Sequence, residues 1–262
     1  MMKAIILAAG KGTRLGHYTK DIPKGMLQFN GKSLIEHQVK TYRKCGIDDI
    51  LIITGYKAEK IRIPNVRYIF NEDYETTNMV ESLFCAEKEF NDDIVVSYAD
   101  ILFESEVLKR LIKHESDIVV TTDIGWKEYW KARHGDIMKD TESLVFGEDG
   151  RIVGIGKPDP EVDDMHARYV GLIKFTRNGL EVTKRVYHEA KSKYWGKPWQ
   201  TSSVFQKAYM TDLLQAIIDS EVGVYPLKIE KGWLEFDTIE DYEKTNSWAE
   251  NGTISRFYSM DS

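Results

Sequence analysis

The chain has 262 residues, 42% of them apolar and 30% charged, with a formal net charge of −6, which predicts one large folded domain. No apolar run approaches the ~18–20 residues of a membrane span, and residues 4–9 lead into glycine and lysine without a cleavage-like site, so we expect a cytoplasmic protein with no secretory signal. The acidic balance argues against a protein that coats nucleic acid, because such proteins carry basic surfaces.

The first half of the chain alternates predicted strands and helices. In chain order they are the strand "AIILAA", a helix begun by a capping box of Ser33 and Glu36, the strands "DILIIT" and "VRYIF", a helix from about Asn78, the strand "DIVVSYAD", a helix around Leu108 and the strand "DIVVTT". This alternation predicts an α/β fold with a doubly wound, mainly parallel (Rossmann-like) sheet and helices on both faces. Cys45 and Cys85 fall in the predicted helices, so we expect buried, reduced thiols.

The pattern changes at about residue 124. An aromatic-rich loop is predicted first, then a hairpin in "ESLVFGEDGRIVGIGK", the strand "RYVGLIKF", helices over residues 180–194 and 211–219, and "GWLEFDTIEDYEK" as a strand and a helix capped by Thr238 and Asp241. No linker rich in Pro, Gly or Ser separates two halves, so we predict a single domain over residues 1–262. The last dozen residues are predicted to be a loosely attached end, in which Phe257 and Tyr258 could dock.

Ligands of such sheets bind at the carboxyl ends of the strands, where the predicted loops contain residues 10–14, Asp100 and Asp237. The first loop is no dinucleotide fingerprint, because Leu15 replaces the third glycine, and "GMLQFNGKS" has the wrong spacing for a Walker loop. What remains is a pair of glycines whose backbone amides can approach phosphate, followed by Lys11, Thr13, Arg14 and Lys24. These donors indicate a triphosphate site.

"LAAGKGTRL" followed by "PKGML" resembles the signature of the nucleotidyltransferases that activate sugar phosphates and small alcohol phosphates. The segment "NEDYETTNMVESLFCA", residues 71–86, resembles the CTP-dependent cytidylyltransferases of phosphocholine and related phosphorylated or phosphono amines. The hairpin and the strand after it resemble the lid region of that family. The resemblance implies the nucleotidyltransferase fold with a small β-hairpin lid, a nucleotide-binding half at residues 1–123, and an acceptor-binding and lid half at residues 124–262.

The resemblance also implies roles for particular residues. Mg²⁺ is implied as the cofactor, held by Asp100 and Asp237, and this agrees with its preference for one or two carboxylates plus phosphate oxygens. Arg14, Lys24 and a lid lysine, Lys157, are implied as catalytic. Nucleotide binding is assigned to Leu7, Ala8, Ala9, Gly10, Lys11, Gly12, Thr13, Asn78, Ser82 and Tyr98.

The acceptor site is the part on which the sequence leaves alternatives open. The candidate substrate-binding residues are Trp126, Tyr129, Trp130, Arg133, Arg168, Tyr169 and Glu235. The aromatic group could hold an ammonium by cation–π attraction or could pack the lid against the core. Arg168 stands where the family commonly has a glutamate, so a cation faces the acceptor, and an amino-acid-like acceptor such as phosphoglutamine is an alternative to phosphocholine, phosphoethanolamine and aminoethylphosphonate.

The expected reaction needs no protein nucleophile, because the acceptor's phosphate or phosphonate oxygen is already ionised at neutral pH. The partners are then CTP and a small phosphorylated or phosphono acceptor, with no nucleic acid and no membrane, and a homodimer is left open. One alternative is a sugar-1-phosphate nucleotidyltransferase that uses UTP, dTTP or GTP. A second is a regulatory subunit that only binds nucleotide. The presence of Arg14, Lys24, Asp100 and Asp237 disfavours it.

Overall fold

A seven-stranded sheet organises the chain, of which the computed structural model describes residues 2–260. The strands are β1 (Lys3–Ala8), β2 (Gln28–Phe29), β3 (Lys32–Ser33), β4 (Ile50–Thr54), β5 (Arg67–Phe70), β6 (Ile94–Tyr98), β7 (Ile101–Phe103), β8 (Ile118–Asp123), β9 (Glu142–Phe146), β10 (Ile152–Pro158), β11 (Arg168–Phe175), β12 (Tyr225–Ile229) and β13 (Trp233–Glu235). The α-helices are α1 (Leu34–Lys44), α2 (Met79–Phe84), α3 (Ser105–Lys113), α4 (Trp126–His134), α5 (Arg177–Tyr194), α6 (Met210–Asp219) and α7 (Ile239–Asn251).

The strand order of the main sheet is β12-β8-β11-β6-β1-β4-β5. Strand β11 runs antiparallel to both of its neighbours, β6 and β8, whereas the other pairs in this sheet are parallel. The prediction of a mainly parallel α/β sheet is therefore confirmed, with one antiparallel strand inserted in its middle. Strands β7 and β13 form a separate antiparallel pair beside it.

The sheet separates two hydrophobic cores. Along β1, Ala4, Ile6 and Ala8 face one core, and Ile5 and Leu7 face the other. Helices α1 and α3 cover the first core, and α2, α5 and α6 cover the second. A strand buried on both faces has no polar alternation, which is why "AIILAA" is continuously apolar.

Local sequence signals place most helix starts correctly. The capping boxes of Ser33 with Glu36 and of Thr238 with Asp241 are both formed. The segment predicted as an aromatic-rich loop is instead the helix α4. The reason is that Trp126, Tyr129 and Trp130 recur at helical spacing and are all buried on one face.

The predicted hairpin is confirmed, since β9 and β10 pair antiparallel on either side of the "GEDG" turn. Both cysteines are free, as predicted, but Cys45 is only half-buried and Cys85 is exposed. The expectation of burial is wrong because each cysteine is the residue just after the end of a helix, not inside it.

Near the carboxyl end of the chain, Phe257 and Tyr258 are buried in the first core, so this segment docks as far as residue 260. The last two residues of the predicted loose end lie outside the described part of the chain. Among residues 2–260, no helix combines the length and apolarity needed to cross a bilayer.

Asp123 joins the end of β8 to β13, which leads into the candidate site. Its carboxylate accepts hydrogen bonds from Trp233 Nε1 (2.8 Å) and from the backbone N–H of Gly125 (2.8 Å). Burial raises the pKa of Asp123 to about 6, although both hydrogen bonds oppose the rise. The folded protein thus retains this proton at pH values where the unfolded chain has lost it.

We expect the free energy of unfolding to fall with rising pH through this group. Comparison of the wild type with Asp123→Asn by urea denaturation isolates the effect, because only the wild type titrates there. The free energy of unfolding of the wild type, relative to that of the variant, should fall by about 2 kcal/mol from about pH 4 to about pH 6. A difference that is constant with pH would contradict the raised pKa.

Candidate active site

The loops that follow β1, β6 and β13 meet beside one another. In the β7–β13 pair, Glu235 lies opposite Ile101, and the backbone N–H of Phe236 donates to the carbonyl of Asp100 (2.9 Å). This pairing brings Asp237 next to Asp100, although the two residues are far apart in sequence. The carboxyl ends of β1 and β6 are where ligands of such sheets bind.

Two glycines permit the close contacts that shape the loop after β1. Gly12 adopts φ +63, and a Cβ there would lie 2.9 Å from the Cβ of Lys24. Gly55 follows β4, and a Cβ there would lie 2.7 Å from the carbonyl oxygen of Ala9 and 2.6 Å from the Cβ of Tyr74. A side chain at position 55 would therefore press on the wall of the cavity described next.

The first cavity has a volume of about 250 Å³ and opens onto this loop. With one exception, Lys11, the predicted nucleotide-binding residues line it: Leu7, Ala8, Ala9, Gly10, Gly12, Thr13, Asn78, Ser82 and Tyr98. The charged residues Arg14, Lys24, Asp100 and Asp237 line it as well. The structure thus brings together a glycine-rich loop, two cations and two carboxylates.

An ion cluster lines this cavity, in which Lys24, Asp100 and Asp237 are largely buried and Arg14 is exposed. Lys24 Nζ contacts Asp100 Oδ2 and Asp237 Oδ1, each at 2.5 Å, and Arg14 Nη2 lies 2.6 Å from Asp237 Oδ2. Burial by itself would lower the pKa of Lys24, but the attraction of the two carboxylates outweighs it and raises the pKa above its ordinary value. Lys24 is therefore a charged ammonium.

The second cavity, of about 150 Å³, shares a wall with the first. Both are lined by Arg14, Met79, Tyr98, Asp100 and Asp237. Of the predicted substrate-binding residues, the second cavity is lined by Trp130, Arg168, Tyr169 and Glu235. Arg14, Asp100 and Asp237 thus lie at the boundary between the two spaces.

The remaining predicted substrate-binding residues lie behind the cavity wall. Trp126 and Tyr129 are core residues, and the Tyr129 hydroxyl accepts a hydrogen bond from the backbone N–H of Glu235 (3.0 Å). Arg133 is 2% exposed and forms ion pairs with Glu235 (2.5 Å) and Asp241 (2.8 Å). In this arrangement Tyr129 and Arg133 hold Glu235, Trp126 packs in the core, and none of the three lines the second cavity.

Two predicted phosphate-binding lysines are outside both cavities. Lys11 forms an exposed ion pair with Glu75 (3.0 Å). Lys157 is exposed on β10, where its backbone N–H donates to Ser143 Oγ (3.1 Å). Neither ammonium contacts the ion cluster in this structure.

Several cavity residues escaped the sequence analysis. Tyr74 and Thr77 line the first cavity. They belong to the segment of residues 71–86, and its resemblance to the cytidylyltransferases could have identified them. Glu142 and Ser143 belong to the predicted hairpin, but no sequence signal assigned them to a ligand site. The same is true of three other residues of the second cavity: Asp140, Tyr209 and Thr211. They reach the site only through the packing of the hairpin and α6 against the sheet.

A glycine-rich loop and two strand-end aspartates around one cavity at the carboxyl ends of the strands are the features of a nucleotidyltransferase of the α/β class. Residues 4–157 match the family model of the MobA-like NTP transferase domain. The chain belongs to this family.

Relatives support this assignment over nearly the whole chain. Over 255 residues, 92% of this chain and 98% of the relative, the sequence is 31% identical to the CTP:phosphoglutamine cytidylyltransferase of Campylobacter jejuni. It is 35% identical over 156 residues, 58% of this chain and 67% of the relative, to the choline-phosphate cytidylyltransferase of Streptococcus pneumoniae. The solved structure of the Streptococcus pneumoniae CTP:phosphocholine cytidylyltransferase superposes with a TM-score of 0.72 at 26% identity, covering 95% of this chain and 99% of that one.

We expect Lys24→Met to destabilise the protein in metal-free buffer, because it leaves two buried carboxylates without their shared cation. The free energy of unfolding should fall by about 3 kcal/mol in urea denaturation. Lys11→Met is the matched control, since its exposed ion pair contributes little. Equal losses in the two variants would show that the ion cluster does not stabilise the fold.

Proposed function

We propose that the protein transfers CMP from CTP to a phosphate or phosphonate oxygen of a small amine, with release of pyrophosphate. The observation that carries the proposal is the wall shared by the two cavities, where Arg14, Asp100 and Asp237 lie. CTP in the first cavity and the acceptor in the second would meet at this wall. The relatives matched over most of their length, which by name act on phosphoglutamine and on choline phosphate, support the choice of CTP and of a phosphorylated amine.

In the proposed step, an ionised acceptor oxygen attacks the α-phosphorus of CTP in line with the leaving group. A new P–O bond forms, the bond from the α-phosphorus to the bridging oxygen breaks, and pyrophosphate leaves with that electron pair. Arg14 and Lys24 would neutralise the negative charge on the phosphates. The acceptor supplies the nucleophile, so no side chain has to be deprotonated.

The proposal also includes a magnesium ion, and Asp100 and Asp237 are suited to bind it. Asp100 Oδ1 is buried and has no hydrogen-bond partner among the described residues, and Asp237 lies across Lys24 from it. Within residues 2–260, no set of three or more His, Cys, Asp or Glu side chains forms a metal cage, but Mg²⁺ ordinarily takes only one or two carboxylates. Asp100 and Asp237 would hold the ion, which would supply charge neutralisation at the phosphates.

The division of the chain also belongs to the proposal. Residues 1–123 would bind the nucleotide and residues 124–262 the acceptor, in a cytoplasmic enzyme for which a homodimer stays open. The exposed position of Lys157 means that its lid role requires the β9–β10 hairpin to move toward the nucleotide. Lys11 would likewise have to leave Glu75 to reach a phosphate.

The direct test measures pyrophosphate release, with Mg²⁺, over the four ribonucleoside triphosphates and dTTP, each combined with phosphocholine, phosphoethanolamine, aminoethylphosphonate, phosphoglutamine and glucose-1-phosphate. We expect turnover with CTP and at least one phosphorylated or phosphono amine. Turnover only with the sugar phosphate would favour the sugar-1-phosphate alternative. Tight nucleotide binding without turnover in any combination would favour a regulatory subunit.

A second test concerns Asp237. Asp237→Asn keeps the shape of the side chain but removes its charge, so we expect turnover to fall about 10²- to 10³-fold or more. Binding of Mn²⁺, measured by calorimetry, should weaken in the same variant, while its circular dichroism spectrum stays that of the wild type. Near-normal turnover would remove Asp237 from the mechanism.

A further inference from the structure

Arg168 is an incompletely paired cation in the wall of the second cavity. Arg168 is the first residue of β11 and is 8% exposed. Its Nε atom is buried and has no hydrogen-bond partner among the described residues. Burial lowers the pKa of Arg168 below its ordinary value, yet a guanidinium stays protonated in proteins. Leaving such a donor unpaired is costly unless a ligand completes it.

No carboxylate in the described part of the chain lies within 4.0 Å of the Arg168 guanidinium. The acidic neighbours in the same cavity have other contacts or none: Asp140 pairs with Arg14 (3.1 Å) and Glu235 with Arg133 (2.5 Å). Glu142 forms no ion pair among residues 2–260. The cavity thus presents one cation, Arg168, and one carboxyl group, Glu142, that are both available to a ligand. Burial raises the pKa of Glu142 to about 7, so an ammonium bound beside it would favour the ionised form.

The guanidinium is held in place before any ligand arrives. Its Nη2 donates to the carbonyl of Asp140 (2.9 Å) and its Nη1 to the carbonyl of Glu142 (3.5 Å). The guanidinium carbon lies 4.0 Å from the ring centroid of Trp130. A planar donor group fixed in this way loses little freedom when it binds a planar anion.

The position of Arg168 argues against a role at the reacting phosphate. That phosphate must lie at the wall common to both cavities, where Arg14 is the shared cation. Arg168 lines only the second cavity. The anion that it would bind is therefore a different group of the acceptor.

We infer that Arg168 binds a carboxylate of the acceptor and that Glu142 faces its ammonium group, so that the substrate is a phosphorylated amino acid and not a simple phosphorylated amine. This inference rests on the proposed cytidylyl transfer and narrows its acceptor. Arg168 then selects among acceptors, while the ion cluster around Lys24 serves the phosphates of all of them.

Two pairs of acceptors test the carboxylate directly, because the members of each pair differ only in that group: O-phosphoserine with phosphoethanolamine, and phosphoglutamine with phosphorylated γ-aminobutyramide. For the pair that is turned over faster, we expect the wild type to prefer the carboxylate-bearing member about 10- to 100-fold in kcat/KM. Arg168→Gln should lose this preference, because its kcat/KM should fall far more on the carboxylate-bearing member than on the other.

Control variants separate selection from structural damage. Glu142→Gln should weaken both members of a pair equally, because both carry the amine. Arg43→Gln is the matched control, since Arg43 also donates to two backbone carbonyls, those of Pro64 and Asn65, but lines neither cavity. It should leave both rates unchanged. CTP binding reports whether the Arg168→Gln protein is folded. If that variant does not fold, Arg168→Lys is used in its place, and it should keep the charge and part of the preference.

Three results would overturn the inference: no preference for the carboxylate in the wild type, a preference that survives in Arg168→Gln, or an equal loss on both members of a pair in that variant. Failure of the proposed function is recognised separately, as the absence of CTP-dependent pyrophosphate release with every acceptor. In that case calorimetry of the same acceptor pairs with the wild type and Arg168→Gln decides the carboxylate contact by itself.

Discussion

The site depends on a single buried ammonium between two carboxylates. Lys24 lies 76 residues from Asp100 and 213 residues from Asp237 in sequence, yet it contacts both at 2.5 Å. Burying three charges is costly unless they are paired. The loop after β1 and the ends of β6 and β13 must therefore assemble together, and the β7–β13 pairing holds the two aspartates in place. The same cluster then forms the boundary between the two cavities.

The two sides of this boundary have different chemistry. On the first side, the loop after β1 and α2 present backbone and small polar groups, such as Gly10 and Ser82, to the space proposed for the nucleotide. On the second side, Arg168 lies over Trp130 and is held by carbonyls of the segment before the hairpin. The boundary would serve the same reaction with every acceptor, while the side chains on the far side of the second cavity would select the acceptor. This division suits a family whose members differ in acceptor.

Much of the fold was predictable because its signals are local. Continuous apolar runs mark strands that are buried on both faces, and the capping boxes at Ser33 and Thr238 mark two helix starts. Errors arose where packing decides. The segment with Trp126 and Tyr129 was compatible with a ligand cage or with a core helix, and the structure places both side chains in the core. Cys85 is exposed because α2 ends one residue before it.

By itself, the sequence determined the strand, the glycine-rich loop and Lys24, because the spacing of glycines and cations along one short segment limits which phosphate loop can form. It also marked Asp100 and Asp237 as strand-end carboxylates. Only the tertiary structure decided that Arg133 is buried against Asp241 while Arg168 keeps an unpaired Nε in the second cavity. Both are arginines near aromatic residues, and their difference comes from which carboxylates the packing of α7, β11 and the hairpin brings within reach.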